Sequence, residues 1–98
     1  MGKVIWSRRS KSWLKEIHDH IAKDKPEAAS RTVDGILERA KVLSSFPEIG
    51  QLYPKHPERG VRILLYGHYR IAYLVTEQRD IRVLAVYHGA LDIRRFLG

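Results

Sequence analysis

Cysteine is absent, and with it disulfides, thiolate chemistry and cysteine-based zinc sites. No stretch approaches the roughly 18 consecutive apolar residues of a membrane-crossing helix. The opening residues, Met1 to Trp6, lack the apolar run of a secretion signal. A cytoplasmic protein with no membrane partner is therefore expected. There is no glycine-rich phosphate loop, no HExxH helix and no GxSxG elbow. The five histidines, His18, His20, His56, His68 and His88, are scattered. His18 and His20 stand two apart in a helical pattern and so face apart, and neither a metal nor another cofactor is expected. Acids are the minority charge, and most fall on prospective helix exteriors, so no paired-carboxylate site suggests itself.

What is present is a single-domain chain, residues 1–98, with 44% hydrophobic and 30% charged residues, which is a globular composition. Eighteen Lys and Arg against 11 Asp and Glu leave a net charge of +7. That balance favours polyanionic partners: nucleic acid, the ribosome or an acidic protein segment.

Residues 3–6 read as a short strand that would join a sheet at its edge. Ser7 or Ser10 can cap a following helix, because a serine oxygen accepts from the free N–H groups of a first turn. Trp13, Leu14, Ile17 and Ile21 recur at helical spacing and form one apolar stripe. Pro26 suits the first turn of a second helix, where its missing N–H costs nothing, and Glu27 suits the positive end of the helix dipole. Ala29, Val33, Ile36, Leu37, Ala40 and Leu43 make the second stripe. The two-to-three-residue link predicts an antiparallel helix hairpin, which needs a sheet to cover its apolar side. Residues 46–60 carry Pro47, Gly50, Pro54, Pro57 and Gly60 and read as a loop. Strands are predicted over 61–66, 69–76 and 81–87, joined by a Gly67-His68 turn and a polar turn over 77–80. Residues 91–97 are expected to form a short helical turn. The fold class is therefore α+β: β-α-α-β-β-β, with the hairpin on one face of a small, mostly antiparallel sheet.

With two even-numbered turns, alternation sorts the strand residues into two faces. One carries Val61, Ile63, Leu65, Arg70, Ala72, Leu74, Val83, Ala85 and Tyr87, and its apolar character predicts that it lies under the helices. The other carries Arg62, Leu64, Tyr66, Tyr69, Ile71, Tyr73, Val75, Arg82, Leu84, Val86 and His88. Three tyrosines, two arginines and a histidine on one face are residue types of binding hot spots and of nucleic-acid contacts. Arg, Tyr and His could also support metal-free phosphodiester cleavage, with His as acid or base and Arg stabilising phosphorane charge.

Three segments carry a family resemblance that covers nearly the whole chain. Phe46-Pro47-Glu48-Ile49-Gly50 resembles the phenylalanine-proline-x-x-glycine turn of the RelE/ParE superfamily of bacterial toxins. Arg62-Ile63-Leu64 with Gly67-His68-Tyr69-Arg70-Ile71-Ala72-Tyr73 resembles its arginine-bearing hairpin. Val83-Leu84-Ala85-Val86-Tyr87-His88-Gly89-Ala90 resembles its last strand and histidine-glycine exit. The resemblance implies the toxin of a type II toxin–antitoxin pair, bound by a cognate antitoxin whose disordered tail folds on the toxin. His88-Gly89-Ala90-x-Asp92 is similar to the ParE-like branch, which implies poisoning of DNA gyrase without catalysis. The alternative is a RelE-like ribosome-dependent mRNA endoribonuclease, in which Arg62, Arg70 and His88 would be catalytic. A third reading is an inactive relative that only binds nucleic acid or its partner. The expected partner-binding residues are Tyr66, Tyr69, Tyr73, Arg82, Arg94 and Arg95.

Overall fold

The computed structural model describes residues 2–89. The helical turn expected over 91–97, with Arg94 and Arg95, lies outside the described residues. Strand β1 (Val4–Trp6) leads into helix α1 (Arg8–Ala22), and α2 (Pro26–Ala40) follows and tightens into a 3-10 turn at Lys41–Ser44. Then come β2 (Gln51–Leu52), β3 (Arg62–Tyr66), β4 (Tyr69–Val75) and β5 (Ile81–His88). The sheet order is β1-β5-β4-β3-β2, with β1 parallel to β5 and every other pairing antiparallel. This is the expected α+β arrangement of two helices on a mixed sheet, with β1 at one edge.

Of the two candidate caps for α1, the structure uses Ser7. Its Oγ accepts from the Ser10 amide at 3.0 Å, while Ser10 turns its own hydroxyl back to the Ser7 carbonyl at 2.8 Å. Pro26 opens α2 as expected. The helix stripes bury Trp13, Leu14, Ala29, Ile36 and Ala40 against Leu64, Ile71, Val83 and Val86 of the sheet. The loop expected over 46–60 instead contains the two-residue strand β2 and a 3-10 turn at Pro57–Arg59. Segments this short are held by their neighbours and leave no periodicity to read.

The face assignment is corrected in two respects. First, the helices cover the tyrosine-bearing face and not the more uniformly apolar one. Tyr66 lies against Gly35 of α2, where a Cβ would run into its ring, and Leu64 and Ile71 are buried beside it. The opposite face leaves Leu65 at 55% exposure and Arg70 and Arg82 in solvent. Both faces are apolar enough to bury; on the tyrosine face the Tyr73 hydroxyl finds its partners, Pro47 and Gly50, in the loop that follows α2. Second, the β4–β5 connection spans residues 76–80, an odd number, with Arg79 at φ +67°. This moves Arg82 to the open face, opposite Leu74, and Val83 to the covered face, opposite Tyr73. A bulge then leaves Leu84 unpaired between Tyr73↔Val83 and Ala72↔Ala85, which restores Val86 and His88 to the helix side.

Candidate partner-binding site

The loop joining α2 to the sheet is held by two side chains of the covered face. Tyr73 is fully buried. Its hydroxyl donates to the Pro47 carbonyl at 2.7 Å and accepts from the Gly50 amide at 2.9 Å. Burial pushes this phenol's pKa up, and the Gly50 N–H and the Arg62 guanidinium partly offset that rise. Opposite Tyr73 in the β3–β4 register stands Arg62. Its Nη1 donates to the Gly50 carbonyl at 2.7 Å and the Glu48 carbonyl at 3.2 Å. A Cβ added at Gly50 would come within 2.7 Å of Tyr73 Oη and 2.8 Å of the Ile63 carbonyl oxygen, so the position has no room for a side chain. The phenylalanine-proline-x-x-glycine segment is thus fixed in shape while Phe46 and Ile49 project into solvent.

Beside this loop lies an open cleft of about 580 Å³. Ile49, Leu52, Tyr53, Ile63, Leu65 and Tyr87 give it apolar walls, and Arg39, Lys55 and Arg70 give it charge. No acidic residue lines it among the described residues. Arg39 and Arg70 both abut Leu65: Arg39 Nε donates to the Leu65 carbonyl at 3.1 Å, and Arg70 pairs with Leu65 across the β3–β4 ladder. Since β2 pairs only with Ile63 and Arg62, the outer edge of β3 from Leu64 to Tyr66 carries no strand among the described residues. Burial raises the Tyr87 phenol's pKa, with Arg70 opposing the rise. Among the described residues, the cleft thus offers exposed apolar surface, cations with no acidic neighbour in its lining and a strand edge that no other strand covers, which suits an acidic segment with apolar side chains.

The structure does not bring the three expected catalytic residues together. Arg62 is committed to loop carbonyls at one end of the sheet. His88 shares the covered face but pairs with Tyr69, four residues along β4 from the Tyr73 that faces Arg62, roughly 13 Å of strand. Arg70 points to the opposite face. His88 instead belongs to an aromatic cluster at the β3–β4 turn. It stacks on His68 (centroids 5.8 Å apart, planes at 20°) and meets the Tyr69 ring edge-on at 5.6 Å.

The residues expected to bind a partner are also dispersed. Tyr66 and Tyr69 are half-buried on the covered face, Tyr73 is interior, and Arg82 is exposed on the open face at the far end of the sheet from the turn. Arg94 and Arg95 lie outside the described residues. Of the named residues that the structure describes, Arg70 alone lines the cleft. Sequence reasoning missed Arg39, Lys55, Leu52 and Tyr53. One signal was available: Ile49, Leu52 and Tyr53 are large apolar residues within a breaker-rich loop, where burial is not the default.

A family model described as the ParE toxin of the type II toxin–antitoxin system parDE matches residues 4–93. No match is found among curated proteins. A solved structure from P. aeruginosa, described as a chromosomal ParDE toxin–antitoxin system, is similar with TM-score 0.78 and 26% identity. The match covers 91% of this chain and 97% of that chain. The toxin–antitoxin complex RelBE2 from Mycobacterium tuberculosis is similar with TM-score 0.54 and 18% identity, covering 89% of this chain and 96% of that one. At that identity the second likeness concerns the fold alone.

Proposed function

Because this chain belongs to the ParE toxin family of type II toxin–antitoxin systems, we propose that it arrests bacterial growth by poisoning DNA gyrase and that a cognate antitoxin neutralises it. In this reading it is a binding protein and not an enzyme. The observation that favours this over mRNA cleavage is the dispersal of Arg62, Arg70 and His88. A phosphodiester-cleaving site needs its acid–base group and its charge stabiliser within hydrogen-bond reach of one phosphate. Here one arginine holds a loop and the other faces away from the histidine. The antitoxin part of the proposal rests on the cleft. A disordered acidic tail that folds on binding would cover Leu52, Leu65 and Ile49 and neutralise Arg39, Lys55 and Arg70.

The test is expression of the toxin alone in bacteria, with two readouts. Filamentation with DNA-damage signalling, and gyrase-bound cleaved DNA in a purified assay, is the expected outcome. His88→Ala should remain toxic. A rapid halt of translation with cut messages, lost on His88→Ala or Arg70→Ala, would overturn the gyrase reading in favour of a ribosome-dependent nuclease. For the antitoxin, the product of the neighbouring reading frame should bind the wild type. It should bind an Arg39→Glu/Arg70→Glu variant at least tenfold more weakly, and equal affinity would remove the cleft from the interface.

A further inference from the structure

The outer surface of α1 carries a charge arrangement that neither the cleft nor the toxin reading uses. Arg8, Lys11 and Lys15 recur at i, i+3 and i+7 along one side of the helix, turned away from the buried Trp13 and Leu14 and the partly buried Ile17. All three are exposed, as are Arg9 and Ser12 beside them. Like charges at three- and four-residue spacing repel one another. The stripe also begins at the helix N-terminus, where the dipole disfavours cations, and the first turn holds no acid. Lys15 has a partner in Asp19 at 2.8 Å on the open surface. Arg8, Arg9 and Lys11 meet no carboxylate among the described residues. Two separate local costs are thus accepted for a basic row that contributes nothing to the core.

We propose that this row docks on the phosphate backbone of duplex nucleic acid, without reading its sequence. Charge complementarity selects a polyanion. The absence of any exposed apolar side chain among the α1 residues flanking the row argues against a membrane surface, which an interfacial helix enters with apolar residues. Flanking the row, α1 offers the part-exposed ring of His18, whereas a single strand would need a succession of stacking platforms for its bases. The row rises about 10 Å from Arg8 to Lys15, enough to follow successive phosphates along one strand. It lies on the helix side of the sheet, away from the open-face cleft, so this contact does not depend on the gyrase or antitoxin reading.

The probe is a 20-base-pair DNA duplex of arbitrary sequence, with binding followed by fluorescence anisotropy against salt. With Lys15 exchanging its exposed partner Asp19 for a phosphate, three neutralised phosphates predict a log–log salt slope near −2.7, so raising salt from about 50 to about 200 mM should weaken binding roughly 40-fold. Arg8→Ala/Lys11→Ala/Lys15→Ala should flatten most of that slope without altering the circular dichroism spectrum. A charge-matched control, Lys23→Ala/Lys25→Ala/Arg31→Ala, removes exposed cations from the other end of the helix hairpin and should leave the slope intact. Equal losses in both triple variants would overturn the proposal by reducing it to net charge. Tighter binding to the corresponding single strand, or to vesicles containing phosphatidylserine, would overturn it in favour of those partners. No duplex binding by the wild type at low salt would also overturn it.

Discussion

Replacing Tyr73 with Phe tests whether the loop before β2 is held from beneath by one hydroxyl. The substitution removes a single oxygen from a fully buried ring and leaves the packing of the ring itself in place. Two bonds disappear with it: 2.7 Å to the Pro47 carbonyl and 2.9 Å from the Gly50 amide. The two losses are unequal. The Pro47 carbonyl belongs to a half-buried residue and can turn to water, whereas Gly50 is buried and its N–H is left without an acceptor. An orphaned buried donor costs about 1–3 kcal/mol, so a destabilisation of about 2 kcal/mol is expected. For a domain of this size that corresponds to a fall in Tm of roughly 8–16 °C. By comparison, removing the exposed Lys15–Asp19 pair should leave the stability nearly unchanged, because solvent screens it. Thermal and urea denaturation give the total, and amide hydrogen exchange at Gly50 localises it. Exchange there should accelerate more than the global loss of stability accounts for. Unchanged Gly50 protection together with a Tm within about 2 °C of wild type would refute the latch.

Trp13→Ala should cost about 3–5 kcal/mol, because Trp13 is 6% exposed and its ring stands 6.4 Å from that of Tyr87. An unchanged urea midpoint would contradict the assigned helix face. Ser7→Ala should cost about 1 kcal/mol through loss of the α1 cap, measured by the same denaturation. A substitution as mild as an ordinary surface change would return the capping role to water. At alkaline pH, burial holds the phenol pKa values of Tyr69, Tyr73 and Tyr87 above the ordinary value of about 10. The folded state therefore favours the neutral phenols. Their contribution is fully present below about pH 10 and is lost as pH rises through the folded-state values. Tyrosinate absorbance should show delayed ionisation of part of the five tyrosines, coinciding with unfolding. Normal titration of all five in a chain that stays folded would refute this.

Much of the architecture was legible because it is written in local periodicities. The stripes of Trp13, Leu14 and Ile17 and of Ala29, Ile36 and Ala40 fix both helices, since only a 3.6-residue repeat brings such residues to one side. Pro26, the short link after Ala22 and the Gly67-His68 turn set the hairpins, because each acts through its own backbone geometry. Alternation also stated correctly that Arg62, Leu64 and Tyr66 share a face with Tyr69, Ile71 and Tyr73. What alternation cannot state is which face meets the helices when both are apolar. That was decided by tertiary contacts: Tyr66 against Gly35, and the Tyr73 hydroxyl between Pro47 and Gly50. Nor can it carry parity through an odd turn and a bulge, where Arg79 at positive φ and the extra Leu84 shift the register twice. The cleft belongs to the same class. Arg39 on α2, Leu65 and Arg70 on the sheet and Tyr53 in the loop are distant in sequence. They acquire a common role only because β2 ends after two residues and leaves the β3 edge open between them. Residue types and spacings determine what each segment can form. Which of two equally apolar surfaces is buried is a comparison between whole arrangements, and it depends on which polar groups find partners once the chain has closed on itself.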